Sequence, residues 1–295
     1  MKVVSKMDVP TASTTAALFP GQGSQTPELR ALVAELRPDL LELAAVACGC
    51  DPFERVEQGT RYQQPAIFCA SLAGWERARL EAPAVLAGHS LGELAALTAA
   101  GVLDEPDALR IVVLRGQAMD EAARHGPVGG MLALRADGTT AAAIARSSGL
   151  AIANENSPSQ VVLAGSLAAL ARAEEESREC GVRAVRLPVS GAFHSPAMAP
   201  AAAPLRAALA EVAVRPPQTP VLSCMTATPF EDPRAELVAA LTRPVRWLAV
   251  LRALEWRGID RFVETGPGGV LTKLARQVVP AAEALTVDVP EAARA

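Results

Sequence analysis

The stretch "PAVLAGHSLGEL" (83–94) sets a serine between two glycines, where a short apolar run passes into helical spacing. Residues 83–88 have strand length, and "LGELAALTAAG" (91–101) repeats apolar residues at helical intervals before Gly101, a C-terminal stop. Gly88-His89-Ser90-Leu91-Gly92 therefore fits G-x-S-x-G in the strand-then-helix frame that this motif needs. Small residues on either side let the chain turn sharply enough to lift the Ser90 hydroxyl off the sheet edge. The following helix aims its N-terminal amides and the positive end of its dipole at that hydroxyl. An oxyanion forming there is stabilised, each donor being worth ~3 kcal/mol. The frame predicts an exposed nucleophile at Ser90; the alternative is an ordinary turn serine, since the five-residue pattern recurs by chance.

A serine nucleophile needs a base, and the chain has 3 histidines. His89 adjoins Ser90 but lies on the other face of the turn, where it packs or caps. His125 falls in "ARHGP", an exposed loop. His194, in "SGAFHSPAM" (190–198), is the base by elimination, although a lone loop histidine is more often solvated. No acid stands out as a third triad member, so a backbone carbonyl is expected to orient the imidazole. Arg115 lies in a helix apolar almost all round, with Ile111 and Met119 beside it at helical spacing. A guanidinium buried there needs an anion. Two readings stay open: a structural pair with Glu93 or Asp120, or a seat for a substrate carboxylate. The glycine-rich loops "PGQGSQ" (20–25) and "ETGPGGVL" (264–271) say little alone, the first lacking both the third glycine of a dinucleotide loop and the lysine of a P-loop.

Composition narrows the class. The chain has 295 residues, 50% hydrophobic and 20% charged, which suits a soluble protein with one large domain and a smaller inserted or appended one. No apolar run approaches the ~18 residues of a membrane span. The opening "MKVVSKMDVPTASTT" lacks a signal-peptide core, so a cytoplasmic protein is expected. A net charge of −4 and 3% aromatic residues count against nucleic-acid binding. The 5 cysteines form no C-x-x-C pair, and "CGC" (48–50) is too tight for zinc, so reduced, mostly buried thiols and no metal site are expected.

Along the chain, "AALFPGQGSQ" reads as a buried strand and loop. Helices are predicted in "PELRALVAEL" (27–36), in "PAIFCASLAGWERARL" (65–80) and in "LDEPDALRIVVLRGQAMDEAA" (103–123), the last with Asp104 as cap. From 129 the pattern changes to strand "GGMLALRA", helix "TTAAAIARSS", strands "LAIANEN" and "QVVLAGS", helix "LAALARAEEESREC" and strand "VRAVRLPVS". That β-α-β-β-α-β order is ferredoxin-like. It assigns 127–190 to a subdomain inserted in an α/β domain of 16–126 and 191–280. The larger domain resumes at "GAFHSPAM" and runs through "TPVLSCM", the helix "PVRWLAVLRALEW" and the strand "IDRFVETG".

Taken in order, "LFPGQGSQ", "YQQPAIF", "GHSLGE", "LRGQAM", "NENSPSQVVLAG", "GAFHSPAM", "PVRW" and "ETGPGGVL" resemble the malonyl-CoA:acyl carrier protein transacylases and the related acyltransferase domains of polyketide synthases, from Leu18 to about Leu274. The resemblance implies a hydrolase-like α/β parallel-sheet core carrying the inserted ferredoxin-like subdomain. It implies Ser90 as nucleophile, His194 as base, and the amides of Gln22 and Leu91 as the oxyanion hole. Arg115 would hold the free carboxylate of malonate, and Gln64, Asn154 and Asn156 would line the acyl or pantetheine channel. The implied reaction is ping-pong: Ser90 takes malonyl from malonyl-CoA and passes it to the phosphopantetheine thiol of an acyl carrier protein, for fatty-acid or polyketide synthesis. No cofactor beyond the coenzyme A thioester is implied, and a monomer is expected.

Two positions depart from the pattern. Ala240 stands where many relatives carry Gln or Asn, leaving its backbone carbonyl to orient the histidine, and Gly269 stands where many carry lysine. In the family this chain resembles, a large residue before the histidine goes with malonyl and a serine there with methylmalonyl, so the resemblance implies malonyl from Phe193, with Leu91 after the nucleophile pointing the same way. Because this chain is itself acidic, an acidic carrier would dock on a local basic patch, Arg183 with Arg186 or Arg243 with Arg246. The competing readings are a serine thioesterase or esterase, a trans-acting acyltransferase using methylmalonyl-CoA, and an inactive carrier-binding module.

Overall fold

The computed structural model describes residues 13–287. The chain enters as β1 (Thr15–Phe19), passes through α1 (Leu29–Leu36), α2 (Pro38–Cys48), a 3-10 turn and α3 (Thr60–Ala78), and returns as β2 (Val85–Gly88). The helices α4 (Gly92–Ala99) and α5 (Glu105–His125) follow. A second unit then runs β3 (Gly129–Arg135), α6 (Gly138–Ser148), β4 (Ala151–Ser157), β5 (Gln160–Ser166), α7 (Leu167–Glu179) and β6 (Arg183–Arg186). The remainder is α8 (Ala202–Ala210), β7 (Val221–Leu222), α9 (Pro233–Ala239), α10 (Trp247–Trp256), β8 (Arg261–Glu264), α11 (Val270–Val278) and β9 (Glu283–Thr286).

Strands β7-β2-β1-β8-β9 form one sheet whose pairings are all parallel. Helices cover both faces, which is why β1 and β2 read as unbroken apolar runs. The two-residue period of a strand sends Ala17 and Phe19 to the face under α3, α4 and α5, and Ala16 and Leu18 to the face holding Trp247, Leu251 and Phe262. The register pairs Phe19 with Gly88, so the loops beginning at Pro20 and His89 leave the carboxyl edge side by side. That edge is where open α/β sheets place their chemistry.

The second sheet has order β4-β5-β3-β6 and antiparallel pairing, the ferredoxin-like arrangement expected from the sequence. Leu132, Leu134, Val161 and Leu163 pack beneath α6 and α7 with Ile144 and Leu170. The opposite face, with Met131, Ala153, Val162 and Ala164, joins the core of the larger domain. The backbone ties the two units together: Val245 N–H donates to Ala153 O (2.8 Å), and Glu155 N–H donates to Val245 O (2.8 Å).

Several local expectations shift. Helix α3 begins at Thr60 with Pro65 inside it, five residues ahead of the expected start; that proline removes only one helical bond near the N-terminal end. Helix α2 and the edge strand β9 extend the element list, and β9 lies beyond residue 280, the expected end of the core. Asp104 flanks α5 without capping it, because its carboxylate receives two bonds from Arg215 (2.7 and 3.0 Å). The five cysteines are free, but only Cys69 and Cys224 are buried; Cys48 and Cys50 are partly covered and Cys180 is exposed. Among the described residues no helix is long and apolar enough to cross a membrane, and no group of three metal-ligating side chains converges.

Candidate active site

Ser90 follows β2 directly and holds φ at +54°, a left-handed conformation that costs a non-glycine residue of order 1–3 kcal/mol. The flanking glycines make the turn possible. A Cβ on Gly88 would lie 2.1 Å from the Gly92 carbonyl carbon, and one on Gly92 would lie 2.0 Å from Phe19 O. Any side chain at either position would push α4 away from the sheet. His194 is held at φ +55°, so two residues of one site share the same strained geometry.

The strain brings the two side chains together. Ser90 Oγ lies 2.7 Å from His194 Nε2. On its other edge His194 Nδ1–H donates to the carbonyls of Ala240 (2.9 Å) and Arg243 (3.2 Å), which leaves Nε2 as the acceptor for the serine proton. Backbone carbonyls thus orient the imidazole, and the side chain at position 240 is not needed for it. Burial, and then the charge of Arg115, hold the His194 pKa down at about 3, so the ring is neutral and ready to accept a proton.

Arg115 projects from α5 toward α3 and is 4% exposed. Its Nη1 donates to Gln64 Oε1 at 2.6 Å and its Nη2 to Ser90 Oγ at 3.2 Å. Neither carboxylate named from the sequence pairs with it. Asp120 turns to Arg124 (2.9 Å), one helical turn on, while the buried Glu93 accepts the Cys224 N–H at 2.6 Å. Burial raises the Glu93 carboxyl to about 7 and lowers Arg115 to about 10, which still leaves the guanidinium charged at neutral pH. Among the described residues Arg115 has no carboxylate partner. Gln64, wholly buried, passes the network on: its Nε2 donates to Thr60 Oγ1 (2.7 Å), and Thr60 donates to Gln22 Oε1 (3.0 Å).

Gln22 and Leu91 occupy the two adjacent loops that the Phe19–Gly88 register sets side by side. Among the described residues, neither backbone N–H has an acceptor within the protein. Leu91 also stands at the N-terminus of α4, whose dipole adds positive potential there.

A cleft of about 220 Å³ opens over Ser90, lined by Gln22, His89, Met119, Phe193 and His194 from the larger domain and by Met131, Asn154, Asn156 and Val162 from the smaller. Phe193 is 5% exposed. Irregular pairing at Ile152/Asn154 and Glu155/Ser157 in β4 falls where both asparagines are presented, a common use of bulges beside sites. Asn156 Oδ1 accepts from His89 Nε2 (3.0 Å), and its amide donates to Gln160 (2.9 Å). His89 meanwhile packs edge-on against Trp247, as expected, but it also lines the cleft that opens over Ser90 and so is not confined to the far side of the turn. Gln63, Gln160, Thr60 and the Arg243 carbonyl were not legible as parts of the site. Gln63 and Gln160 had a signal, their places in "YQQPAIF" and "NENSPSQVVLAG".

Residues 54–289 match the family described as acyl transferase domain. The chain is 37% identical over 301 residues to the malonyl CoA-acyl carrier protein transacylase of Escherichia coli K12, covering 94% of this chain and 96% of that protein. It is 38% identical over 283 residues to the polyketide biosynthesis protein ThaF of Burkholderia thailandensis, covering 91% of this chain but only 24% of that longer protein. Among solved structures, the malonyl-CoA:acyl carrier protein transacylase of Xanthomonas oryzae pv. oryzae superposes with a TM-score of 0.88 at 38% identity, over 96% of this chain and 97% of the other. A type II polyketide synthase carrier protein in complex with its malonyl-transacylase contains a chain matching at TM-score 0.87 and 33% identity, over 95% and 97%.

Proposed function

We infer the reaction from a premise of membership: the chain belongs to the acyl transferase family. It moves a malonyl group from malonyl-CoA to the phosphopantetheine thiol of an acyl carrier protein, through an ester on Ser90. In the first half, the Ser90 proton passes to His194 Nε2 as Oγ attacks the thioester carbon. The amides of Gln22 and Leu91 receive the oxyanion. The carbon–sulfur bond then breaks, and the coenzyme A thiolate takes the proton from His194. The second half runs the same steps with the carrier thiol, whose proton goes to His194 and then to Ser90.

The observation that carries the malonyl assignment is the buried guanidinium of Arg115, within hydrogen-bond reach of Ser90 Oγ and without a carboxylate of its own. Malonyl supplies that carboxylate. Pairing with it also offsets the Arg115 charge, one of the causes that hold His194 down, so the bound substrate makes its own base stronger. Phe193 narrows the acyl end of the cleft and favours malonyl over methylmalonyl. On this reading the core, 16–126 and 191–280, performs the chemistry, and the insertion, 127–190, supplies the wall with Asn154 and Asn156. Five free thiols suit the cytoplasm.

Intact-mass measurement tests the reading. Malonyl-CoA alone should leave one malonyl group on the protein, removable by carrier bearing its thiol arm, and Ser90→Ala should stay unlabelled. A thioesterase would instead release malonate with no carrier present.

A further inference from the structure

Ser90 and His194 stand 104 positions apart in the chain, yet their side chains meet at hydrogen-bond distance. The base is oriented by the segment 240–246, through the carbonyls of Ala240 and Arg243. The nucleophile is oriented by the turn that opens α4, where Glu93 N–H donates to Ser90 O (3.1 Å). Whatever spaces that turn from that segment also aligns the pair.

Glu93 spans the gap. It follows Ser90 by three residues and is 1% exposed. Its Oε1 accepts the backbone N–H of Cys224 at 2.6 Å. Leu222 of β7 pairs in parallel with Ala87 of β2, so Cys224, two residues on, leaves the sheet beside the nucleophile turn. On its other side the Cys224 carbonyl accepts Arg246 N–H at 2.7 Å. Arg246 closes the segment whose Arg243 carbonyl accepts from His194 Nδ1 and whose Val245 bridges to Asn154 of β4. A path of two hydrogen bonds thus runs from the helix of the nucleophile to the carbonyls that hold the base and to the strand that forms the cleft's far wall.

Packing alone does not call for a carboxyl at this position. The next residues of α4, Leu94, Ala95, Ala96 and Leu97, are all buried and apolar. Burial raises the Glu93 carboxyl to about 7, against the pull of the Cys224 N–H. A polar group that is costly to bury is kept for the bond it makes. Near neutrality the carboxyl is divided between its two forms, and Oε1 can accept the Cys224 N–H in either. What matters is an acceptor at a fixed reach, not a charge.

We propose that Glu93 is a positioning residue for acyl transfer: by holding Cys224 it fixes the 240–246 segment against the nucleophile turn and keeps His194 Nε2 in line with Ser90 Oγ. The proposal rests on the acyl-transfer reading above and adds to it a residue that touches neither substrate nor the reacting atoms.

The test sets three variants of the full chain against two reagents. Glu93→Gln keeps the acceptor and removes the charge. Glu93→Asp keeps the charge and draws the acceptor back by one methylene. Glu93→Met keeps the bulk and removes both; Gln and Asp alone carry the test if it does not fold. The reagents are malonyl-CoA and phenylmethanesulfonyl fluoride, which has no carboxylate and calls only on the nucleophile and its base. Labelling of Ser90 should stay within about three-fold of the unsubstituted rate for Gln and slow roughly 10- to 100-fold for Asp and Met, by the same factor with both reagents. KM for malonyl-CoA should not change. Normal labelling by folded Asp or Met protein of lowered Tm would make Glu93 merely structural and overturn the proposal. A Gln variant as slow as Asp would overturn it too, and so would slowing with malonyl-CoA alone, since Glu93 would then act through Arg115. If malonyl-CoA does not label the unsubstituted protein, the acyl-transfer reading fails, and the sulfonyl fluoride rates still decide the alignment.

Discussion

Arg37 and Arg115 carry the same group under opposite conditions. Arg37, at the junction of α1 and α2, bonds three carboxylates: Asp39 (2.6 Å), Glu76 (2.7 Å) and Glu105 (2.6 Å). Its carboxylates raise its pKa, with Asp39 the largest cause. Arg115, more deeply buried, has an amide oxygen and a serine hydroxyl. A protein that can surround one surface arginine with three acids has left a buried one without any, and an unpaired buried charge is the costlier state. The first arginine holds helices together; on the acyl-transfer reading proposed above, the second is completed by a substrate carboxylate.

Giving Arg115 what Arg37 has should break the contrast most severely. Gln64→Glu would put a carboxylate where the Gln64 Oε1 now lies, 2.6 Å from Nη1. The guanidinium would then be paired before substrate arrives. Loading from malonyl-CoA should fall by roughly two to three orders of magnitude in kcat/KM, with the Tm maintained. A variant that loads normally would mean that Arg115 is not the carboxylate's partner.

Removing the surface partner should do the reverse. Arg37→Ala should lower stability by about 1–2 kcal/mol, discounted because its acids are half-exposed, and lower the Tm by a few degrees. Malonyl loading at 25 °C should not change. Stability and activity would then divide between the two arginines.

How far this division could be read from the sequence depends on distance along the chain. Burial of Arg115 was legible from Ile111 and Met119 beside it, and the turn at Ser90 from Gly88 and Gly92. The partner question was not legible, because Glu93 and Asp120 were equally plausible until packing sent one to the Cys224 amide and the other to Arg124. Local periodicity revealed the β-α-β-β-α-β unit, whose strands pair close in sequence. The parallel sheet was harder, since its pairings join strands as remote as β1 and β8, and β7 has only two residues of pattern. The cleft's second wall follows from the docking of β4 against Val245, which no single segment announces.

A smaller effect concerns the base. His194 titrates at about 3 when folded and at 6.5 ordinarily. Between those values the unfolded chain binds a proton that the folded one refuses, so the contribution of the neutral ring is present above pH 6.5 and is lost as pH falls toward 3. His194→Gln should therefore show a shallower fall of Tm over that window than the unsubstituted protein. Identical slopes would mean that the ring is not buried neutral.

Smallest is the acyl end of the cleft. Phe193→Ser opens room for one methyl group, worth ~1–3 kcal/mol, so the ratio of methylmalonyl to malonyl kcat/KM should rise without reversing fully. An unchanged ratio would remove Phe193 from the pocket wall.

The contrast between the two arginines rests on one substitution, Arg115→Ala, assayed with malonyl-CoA and acetyl-CoA on folded protein. Acetyl has no carboxylate, and on the proposed reading the intact site should disfavour it because the guanidinium stays unpaired. Malonyl kcat/KM should drop by roughly two to four orders of magnitude, equivalent to ~3–5 kcal/mol, while acetyl loading rises or holds. A parallel fall of both activities, accompanied by a lower Tm, would make Arg115 a structural arginine like Arg37 and contradict the account.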